Sequence, residues 1–383
     1  MKKILTFVLV VFILSCRKDK FEGIGSPSIV WRADIIISTS PIHSIQPIVY
    51  KDKVVVTNLI DTNYKDIVVI LDKKTGAKLS ETQVSPTIKT WISSYYYFEN
   101  LIAFVSGNGI QCFDINTSSI KWTMTEQISN AKQVDSLIFG VQNGKMVKLN
   151  ILTKEIKQLN TTVGSTQNFW TSSVFYDVYK NAKQDVCMTY VDTQNPQQYF
   201  LVSVNLSNSM LISKSYISNK DIKGGFASYF KVKNDKLYFG DSHSIICMNV
   251  LDGTYLWRQN VLGNGSSDIG TEAFLGDKNL FIGSTTYLYA FDLLTGKEAW
   301  AIKNDVNNIG FSSLQAFYYH HKTLYFASEE LVAIDEDSGN VIWSFLNKKH
   351  TKSPVTFYTI PRGEGDFLYI PTDSKIMCLV AAQ

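Results

Sequence analysis

The sequence has few of the residues from which metal, disulfide and nucleophile sites are built. Only 5 histidines, 5 cysteines and 8 prolines occur among 383 residues, and no two cysteines are adjacent. No Gly-x-Ser-x-Gly motif, no phosphate-binding Gly-Lys-Ser/Thr ending and no His-x-x-x-His spacing occurs. We therefore predict no catalytic residue, no metal ligand and no cofactor, and expect that the protein is not an enzyme.

An excess of one charge is also missing. The 37 Lys and Arg residues nearly balance the 34 Asp and Glu residues, so the formal net charge is only +3. A near-neutral chain has no electrostatic basis for binding nucleic acid, whose phosphates require a basic surface. Aromatic residues, in contrast, reach 13%, and many occur in short runs with Val and Ile. Such runs favour half-buried β-strands, so we expect no nucleic-acid partner and an all-β fold.

The start of the chain has the pattern of a bacterial lipoprotein signal. Two lysines precede an apolar stretch from Ile4 to Leu14, which is too short for a membrane-spanning helix of about 20 residues. Cys16 follows this stretch after a small serine, as in a lipobox, where the cysteine is lipidated and becomes the new N-terminus. We therefore predict a signal peptide over residues 1–15 and lipidation of Cys16. An ordinary secreted protein with an incidental cysteine is the alternative.

The lipid on Cys16 would attach the protein to a membrane, and residues 16–27 would form a polar tether. Arg17, and not an aspartate, follows the cysteine. By resemblance to envelope sorting rules, this favours the outer membrane. We expect a lipid-anchored protein of the cell envelope, and the sequence leaves open whether it faces the periplasm or the cell surface.

A hairpin motif recurs along the chain with a period near 43 residues. Its clearest copies are 246–257, 289–300 and 332–343, and each has an Asp or Asn at its fourth position. We call this position the turn column, and its members are Asp72, Asp114, Asn150, Asn205, Asn249, Asp292 and Asp335. A tryptophan follows the turn column by eight residues at Trp122, Trp257, Trp300 and Trp343.

The repeat predicts a four-stranded unit. An apolar strand ends at the turn column, whose side chain can bond the backbone two residues on. A Gly then supplies positive φ for the turn, and a second strand carries the tryptophan. A further strand pair precedes each hairpin, as in the blade of a β-propeller. We expect the tryptophans to have a structural role, docking each blade on the next, because a blade can bury its faces only against its neighbours.

The two ends of the chain complement each other. Segment 352–380 begins a last repeat, places Val380 in the turn column and stops before its Trp strand. Residues 28–35 form a Trp strand without a preceding repeat, with Trp31 in the Trp position. We therefore predict an eight-bladed β-propeller over residues 28–383, with four-stranded antiparallel blades, closed by strand 28–35 in the C-terminal blade. Seven blades is the alternative, because the copies at Asn150 and Asn205 are weak.

The segment Leu288–Trp300 resembles the repeat of the PQQ-like propellers, a family that includes quinoprotein alcohol dehydrogenases and BamB-type outer-membrane assembly lipoproteins. The resemblance covers about residues 28–383 and is strongest over 226–345. Quinoprotein dehydrogenases hold pyrroloquinoline quinone under adjacent cysteines, which this chain lacks. Because the repeat is the structural hairpin of the blade, the resemblance implies the fold more strongly than any activity.

The remaining candidate residues have structural interpretations. Cys112, Cys247 and Cys378 stand two residues before the turn column, where other repeats have alanine, so we expect small buried packing residues without disulfides. His320 and His321 are predicted to occupy a hairpin turn with their side chains on opposite faces. The aromatic runs 95–98 and 317–319 fit a core between blades.

The lipobox and a propeller without cofactor residues predict a non-enzymatic, lipid-anchored scaffold of the bacterial envelope, BamB-like in build. Its loops on one face would bind an envelope protein partner, for example in outer-membrane protein assembly. Two alternatives stay open. Aromatic-rich strands suggest a surface propeller that binds glycan or another ligand, and the family resemblance suggests a PQQ-dependent oxidoreductase.

Overall fold

The computed structural model shows an all-β protein. It describes residues 27–34, 46–60, 66–84, 92–106, 109–143, 145–159, 176–195, 198–208, 210–217, 226–241, 243–261, 269–284, 287–303, 317–327, 331–345, 361–372 and 375–382. The regular elements in these ranges are strands, and they form eight four-stranded antiparallel sheets. The predicted signal peptide, Cys16 and nearly all of the predicted tether lie outside the described residues.

Each of the first four blades uses four consecutive strands. The described part begins with β1 (Ile29–Asp34), which belongs to the last blade. Blade 1 comprises β2 (Ile48–Tyr50), β3 (Lys53–Ile60), β4 (Asp66–Asp72) and β5 (Lys78–Gln83). Blade 2 comprises β6 (Ile92–Phe98), β7 (Leu101–Ser106), β8 (Gly109–Asp114) and β9 (Ser119–Met124). Blade 3 comprises β10 (Ser129–Val134), β11 (Leu137–Gln142), β12 (Lys145–Asn150) and β13 (Ile156–Gln158). Blade 4 comprises β14 (Tyr176–Lys180), β15 (Val186–Asn195), β16 (Gln198–Asn205) and β17 (Met210–Ile217).

The second half of the chain continues this order until the last blade. Blade 5 comprises β18 (Phe226–Lys233), β19 (Lys236–Asp241), β20 (Ser244–Asn249) and β21 (Tyr255–Asn260). Blade 6 comprises β22 (Ile269–Leu275), β23 (Asn279–Ser284), β24 (Tyr287–Asp292) and β25 (Glu298–Lys303). Blade 7 comprises β26 (Phe317–His320), β27 (Thr323–Ala327), β28 (Leu331–Asp335) and β29 (Val341–Phe345). Blade 8 comprises β30 (Arg362–Glu364), β31 (Phe367–Pro371), β32 (Lys375–Val380) and β1.

The hairpin between the third and fourth strands is built by the turn column. In blade 6, Asp292 Oδ1 accepts hydrogen bonds from the backbone N–H of Leu294 and from the N–H and hydroxyl of Thr295. These bonds lower the pKa of Asp292, the hydroxyl of Thr295 contributing most. Gly296 completes the turn with φ 70°, a backbone conformation that glycine adopts without a steric penalty. The turn is therefore specified by residues close in sequence.

The eight sheets pack in a closed ring. The first strands of neighbouring blades contact one another, for example β10 with β14 and β14 with β18, so these strands form the inner ring. Buried apolar side chains form eight clusters, and each cluster joins two blades adjacent in the ring. This confirms eight blades, and strands β12 and β16, which end at Asn150 and Asn205, show that the weak repeats are true blades.

The chain ends close the ring as predicted. Strand β1 pairs antiparallel with β32, with Trp31 opposite Cys378 and Asp34 opposite Lys375. The N–H of Val380 donates to the carbonyl of Ser28 at 2.9 Å. Blade 8 therefore takes its outer strand from the opposite end of the chain.

Candidate functional site

The five predicted Trp positions all lie on the outer strand of a blade. Trp31, Trp300 and Trp343 are buried, while Trp122 and Trp257 are partly buried and pack against the core. Four indole Nε1 groups donate to the same backbone position of the next blade, the carbonyl that follows the turn column. These bonds are Trp31 to Lys73 (2.9 Å), Trp122 to Ile151 (3.2 Å), Trp257 to Leu293 (3.3 Å) and Trp300 to Glu336 (2.8 Å).

A glycine lies under three of these rings. A Cβ atom placed on Gly76 would be 2.5 Å from Trp31, and one placed on Gly339 would be 2.6 Å from Trp300. Gly296 has the same relation to Trp257. The turn glycine therefore serves two purposes, because it adopts positive φ and leaves room for the indole of the preceding blade.

Sequence reasoning missed the residue that replaces tryptophan in blade 4. In blade 4, Ser213 occupies the Trp position, and its hydroxyl donates at 2.6 Å to the carbonyl of Val250, the residue after the turn column. The same strand makes a second contact, from the hydroxyl of Ser215 to the carbonyl of Asp252. A hydroxyl thus makes the bond that an indole makes elsewhere, and only the alignment on the turn column could have indicated it.

Charged residues also join blades. Glu336, only 1% exposed, accepts hydrogen bonds from the backbone N–H groups of Lys278 and Asn279 in blade 6, and from the hydroxyl of Tyr319. Burial, followed by the bond to Glu336, raises the pKa of Tyr319. Because a buried carboxylate is costly unless it is hydrogen-bonded, this group holds blades 6 and 7 in one arrangement.

The described cysteines are unsuited to redox or nucleophilic chemistry. Cys112, Cys187, Cys247 and Cys378 are buried and form no disulfide. Burial raises the pKa of Cys112, Cys247 and Cys378 to about 12, which keeps the thiols protonated and unreactive. Within the ranges that the structure describes, no group of three or more His, Cys, Asp and Glu side chains could hold a metal ion.

The two adjacent histidines lie in the expected turn, but the prediction that they face apart is wrong. Nε2 of His320 lies 2.7 Å from the carbonyl oxygen of Gly365, and Nε2 of His321 lies 3.0 Å from the same atom. The ring centroids are 3.9 Å apart. Strand alternation ends at His320, because His321 has φ 49° and turns its ring back towards blade 8.

The aromatic runs are part of the core. Tyr95 and Tyr97 pack between blades 1 and 2, and Tyr96 and Phe98 pack between blades 2 and 3. In blade 7, Phe317 and Tyr319 face blade 6 while Tyr318 faces blade 8. These rings pack in the interfaces between blades, so they do not support a glycan-binding surface.

The candidate interaction surface is a row of exposed apolar side chains on four consecutive blades. We call it the apolar rim, and it comprises Leu152 in blade 3 (41% exposed), Met210 and Leu211 in blade 4 (62% and 48%), Leu251 in blade 5 (49%) and Leu294 in blade 6 (73%). Leu152, Leu251 and Leu294 stand two residues after the turn column, and Met210 and Leu211 begin the strand after the same hairpin. The rim therefore lies at one end of the sheets.

Leucines at the turn position are restricted to blades 3, 5 and 6. At the same position, blades 1, 2, 4 and 7 carry Lys74, Asn116, Ser207 and Asp337. Hydrogen bonds connect the rim blades, since Ser215 contacts the turn of blade 5 and Trp257 the turn of blade 6. Exposed apolar patches commonly mark sites of protein interaction.

The comparisons with known proteins agree with this architecture. Residues 211–357 match the family model described as outer membrane protein assembly factor BamB. No curated protein matches the chain. Among the solved structures that it resembles is BamB from Moraxella catarrhalis, with TM-score 0.55 and 11% identity over 93% of this chain and 100% of that one.

Two other solved structures are similar at comparable levels. Sqt1 from Saccharomyces cerevisiae has TM-score 0.64 and 9% identity over 94% of this chain and 100% of that chain. A europium-containing methanol dehydrogenase has TM-score 0.57 and 11% identity over 91% of this chain and 85% of that chain. At such identities the likeness shows the fold alone. The repeats and the eight sheets make this chain an eight-bladed β-propeller, and residues 211–357 of it are similar to the BamB family model.

Proposed function

We propose that the protein is a non-enzymatic, lipid-anchored interaction scaffold of the bacterial cell envelope, and that it binds an envelope protein through the apolar rim. The single observation that carries the proposal is the exposure of large apolar side chains on consecutive blades, 49% for Leu251 and 73% for Leu294. Removing apolar surface from water is favourable by about 25 cal/mol per Å² before the costs of association are subtracted. The match of residues 211–357 to the BamB family model supports a role in an envelope complex, such as outer-membrane protein assembly.

The surroundings of the rim suit a protein partner. The turns that carry Leu251 and Leu294 also expose Asp252, Lys297 and Glu298, so polar groups surround the apolar centre. Interfaces that form and dissociate commonly combine an apolar core with a polar border. The rim is built on turns that the Asx hydrogen bonds and the Trp contacts hold in place, so binding would require little ordering.

The lipid anchor rests on the sequence alone. The lipobox places Cys16 after an apolar stretch and a small residue, and the tether would bring the propeller close to the membrane. No helix in the described ranges has the length and apolar character needed to cross a membrane.

The experiment is crosslinking in the cells that produce the protein, followed by isolation of the full chain from detergent-solubilised membranes. The double variant Leu251→Glu/Leu294→Glu places two charges on the rim, and we expect it to lose the envelope protein captured by the wild type. Its thermal midpoint should stay close to that of the wild type, because both side chains are exposed. Asn116→Glu is the matched control, since Asn116 is exposed at the same turn position of blade 2.

Three results would decide the proposal. Retention of the same partners by the double variant would show that the rim is not the docking surface. Loss of partners in Asn116→Glu as well would show a general effect of negative charge. Cys16→Ser should move the protein from the membrane fraction to the soluble fraction, and unchanged membrane attachment would contradict lipidation of Cys16.

A further inference from the structure

The inner ring of the propeller contains a group of three charged side chains that are not part of the apolar rim. Lys132, Asp177 and Lys231 lie on β10, β14 and β18, the first strands of three consecutive blades. The register places all three at the same level. Each pairs with the residue two positions after the partner of the turn column, as Lys132 pairs with Phe139, Asp177 with Thr189 and Lys231 with Tyr238. The three side chains therefore meet across two blade interfaces.

The carboxylate of this group already has a structural partner. Asp177 Oδ2 accepts a hydrogen bond from the backbone N–H of Val232 at 2.8 Å, which links blades 4 and 5. Burial raises the pKa of Asp177, and the ammonium groups of Lys231 and Lys132 only partly oppose this effect. The two lysines lie near the carboxylate, yet neither forms an ion pair with it within 4 Å.

The lysines are left without direct partners in the described part of the chain. Neither the Lys132 nor the Lys231 ammonium donates a hydrogen bond to any described residue, although both side chains are half-buried. Burial lowers the pKa of Lys132, and the neighbouring Lys231 lowers it further. Two ammonium groups face one carboxylate, so the group carries an excess of one positive charge. Desolvated charges that the protein does not balance are typical of ligand sites.

The third cation at this level of the ring is engaged elsewhere. Arg362 on β30 donates to the hydroxyl of Tyr97, and its guanidinium lies 5.5 Å from the centre of that ring. Its position in blade 8 is on the other side of the ring from blade 4. The lysines of blades 3 and 5 are therefore the cations that remain available.

We propose that the inner ring at blades 3 to 5 binds a carboxylate group of a ligand between the ammonium groups of Lys132 and Lys231. A second carboxylate would balance the charge of the group and give each lysine a charge-assisted hydrogen bond. Asp177 orients the site through Val232 and reduces its net charge. The carboxylate could belong to a small dicarboxylate or to an acidic segment of a protein, and the experiment separates these sources.

The experiment is isothermal titration of the full chain with two probes. The first probe is succinate, and the second is an acetylated and amidated tetraglutamate peptide, with the tetraglutamine peptide as its uncharged control. Lys132→Gln and Lys231→Gln should each weaken binding by about tenfold, the effect of losing one hydrogen bond to a charged group. Asp177→Asn should strengthen binding, because it removes the competing charge while its amide oxygen still accepts from Val232. Lys74→Gln, at an exposed lysine of blade 1, should leave binding unchanged.

The opposite signs expected for the lysine and aspartate variants separate this site from a structural ion network. A network needed only for folding would lower the thermal midpoint in all three variants and would not make any of them bind more tightly. If succinate binds as tightly as the tetraglutamate peptide, the ligand is a small dicarboxylate. If only the peptide binds, the ligand is an acidic segment of a protein. The proposal would be overturned if the wild type bound neither probe, or if the lysine variants bound the probes as tightly as the wild type does. Leu251→Glu/Leu294→Glu should bind both probes normally, so failure of the rim would not affect this result.

Discussion

The contact between Trp300 and Gly339 allows a quantitative test of how the blades dock. Gly339 has φ 72°, and a Cβ atom added there would lie 2.6 Å from Cδ2 and 2.7 Å from Cγ of Trp300. The indole cannot move away easily, because it is 9% exposed and Nε1 is bonded to the carbonyl of Glu336 at 2.8 Å. Gly339→Ala therefore has two costs, about 1–2 kcal/mol for the left-handed backbone and about 1–3 kcal/mol for overpacking.

The two costs separate in a double-mutant cycle. Trp300→Ala should destabilise the protein by about 3–5 kcal/mol, as for large aromatic side chains in cores. In that background the added Cβ meets no ring, so Gly339→Ala should cost only the backbone part, about 1–2 kcal/mol. The coupling free energy between the two positions should thus be about 1–3 kcal/mol.

Urea unfolding followed by far-ultraviolet circular dichroism gives the four free energies of the cycle. Gly365→Ala is the matched control, because Gly365 has φ 55° and a Cβ atom there would have no neighbour within 4 Å. Its cost should equal that of Gly339→Ala in the Trp300→Ala background. If Gly339→Ala costs the same with and without the indole, the tryptophan does not dock the blades in the way that we infer.

Two further predictions concern blades 7 and 8. Deleting residues 28–35 should lower the thermal midpoint strongly, because β32 loses its partner strand; an unchanged midpoint would contradict ring closure by β1. Burial lowers the pKa of His320 from 6.5; the carbonyl of Gly365 and the charge of Asp366 oppose this effect, and His321 and Arg362 add to it. The unfolded chain therefore binds this proton more readily, so stability should fall as the pH drops below about 6.5. The free energy of unfolding in urea should fall less for His320→Asn than for the wild type between pH 7.5 and 5.5. An equal fall would refute the assignment of this pH dependence to His320.

The ring could be predicted because the sequence patterns that define each blade are local. An Asx turn requires only an Asp or Asn and the residues that follow, so the turn column located the end of the third strand even at Asn150 and Asn205. The offset of Trp31 and Val380 then predicted the shared last blade. Both inferences depend on spacing along the chain, which a single sequence contains.

The candidate sites depend on information that spacing does not contain. Lys132 and Lys231 meet only because three blades align in register, and nothing near either lysine in sequence indicates the other. Leu251 and Leu294 were visible in the repeat, but apolar residues are usually buried, so their exposure could not be expected. His321 has a positive φ that its sequence does not require, and this backbone conformation turns its side chain back towards blade 8.

The strand shared by the two ends of the chain also determines how the protein would respond to force. Residues before Ile29 connect to the propeller through β1, which is held in blade 8 by its pairing with β32. A pull from a membrane-anchored Cys16 would act on these hydrogen bonds and on the Trp31 contact with Lys73 before it reached any other strand. Strain on the tether would therefore open the ring at the joint between its ends while the other seven blades kept their own strand pairing.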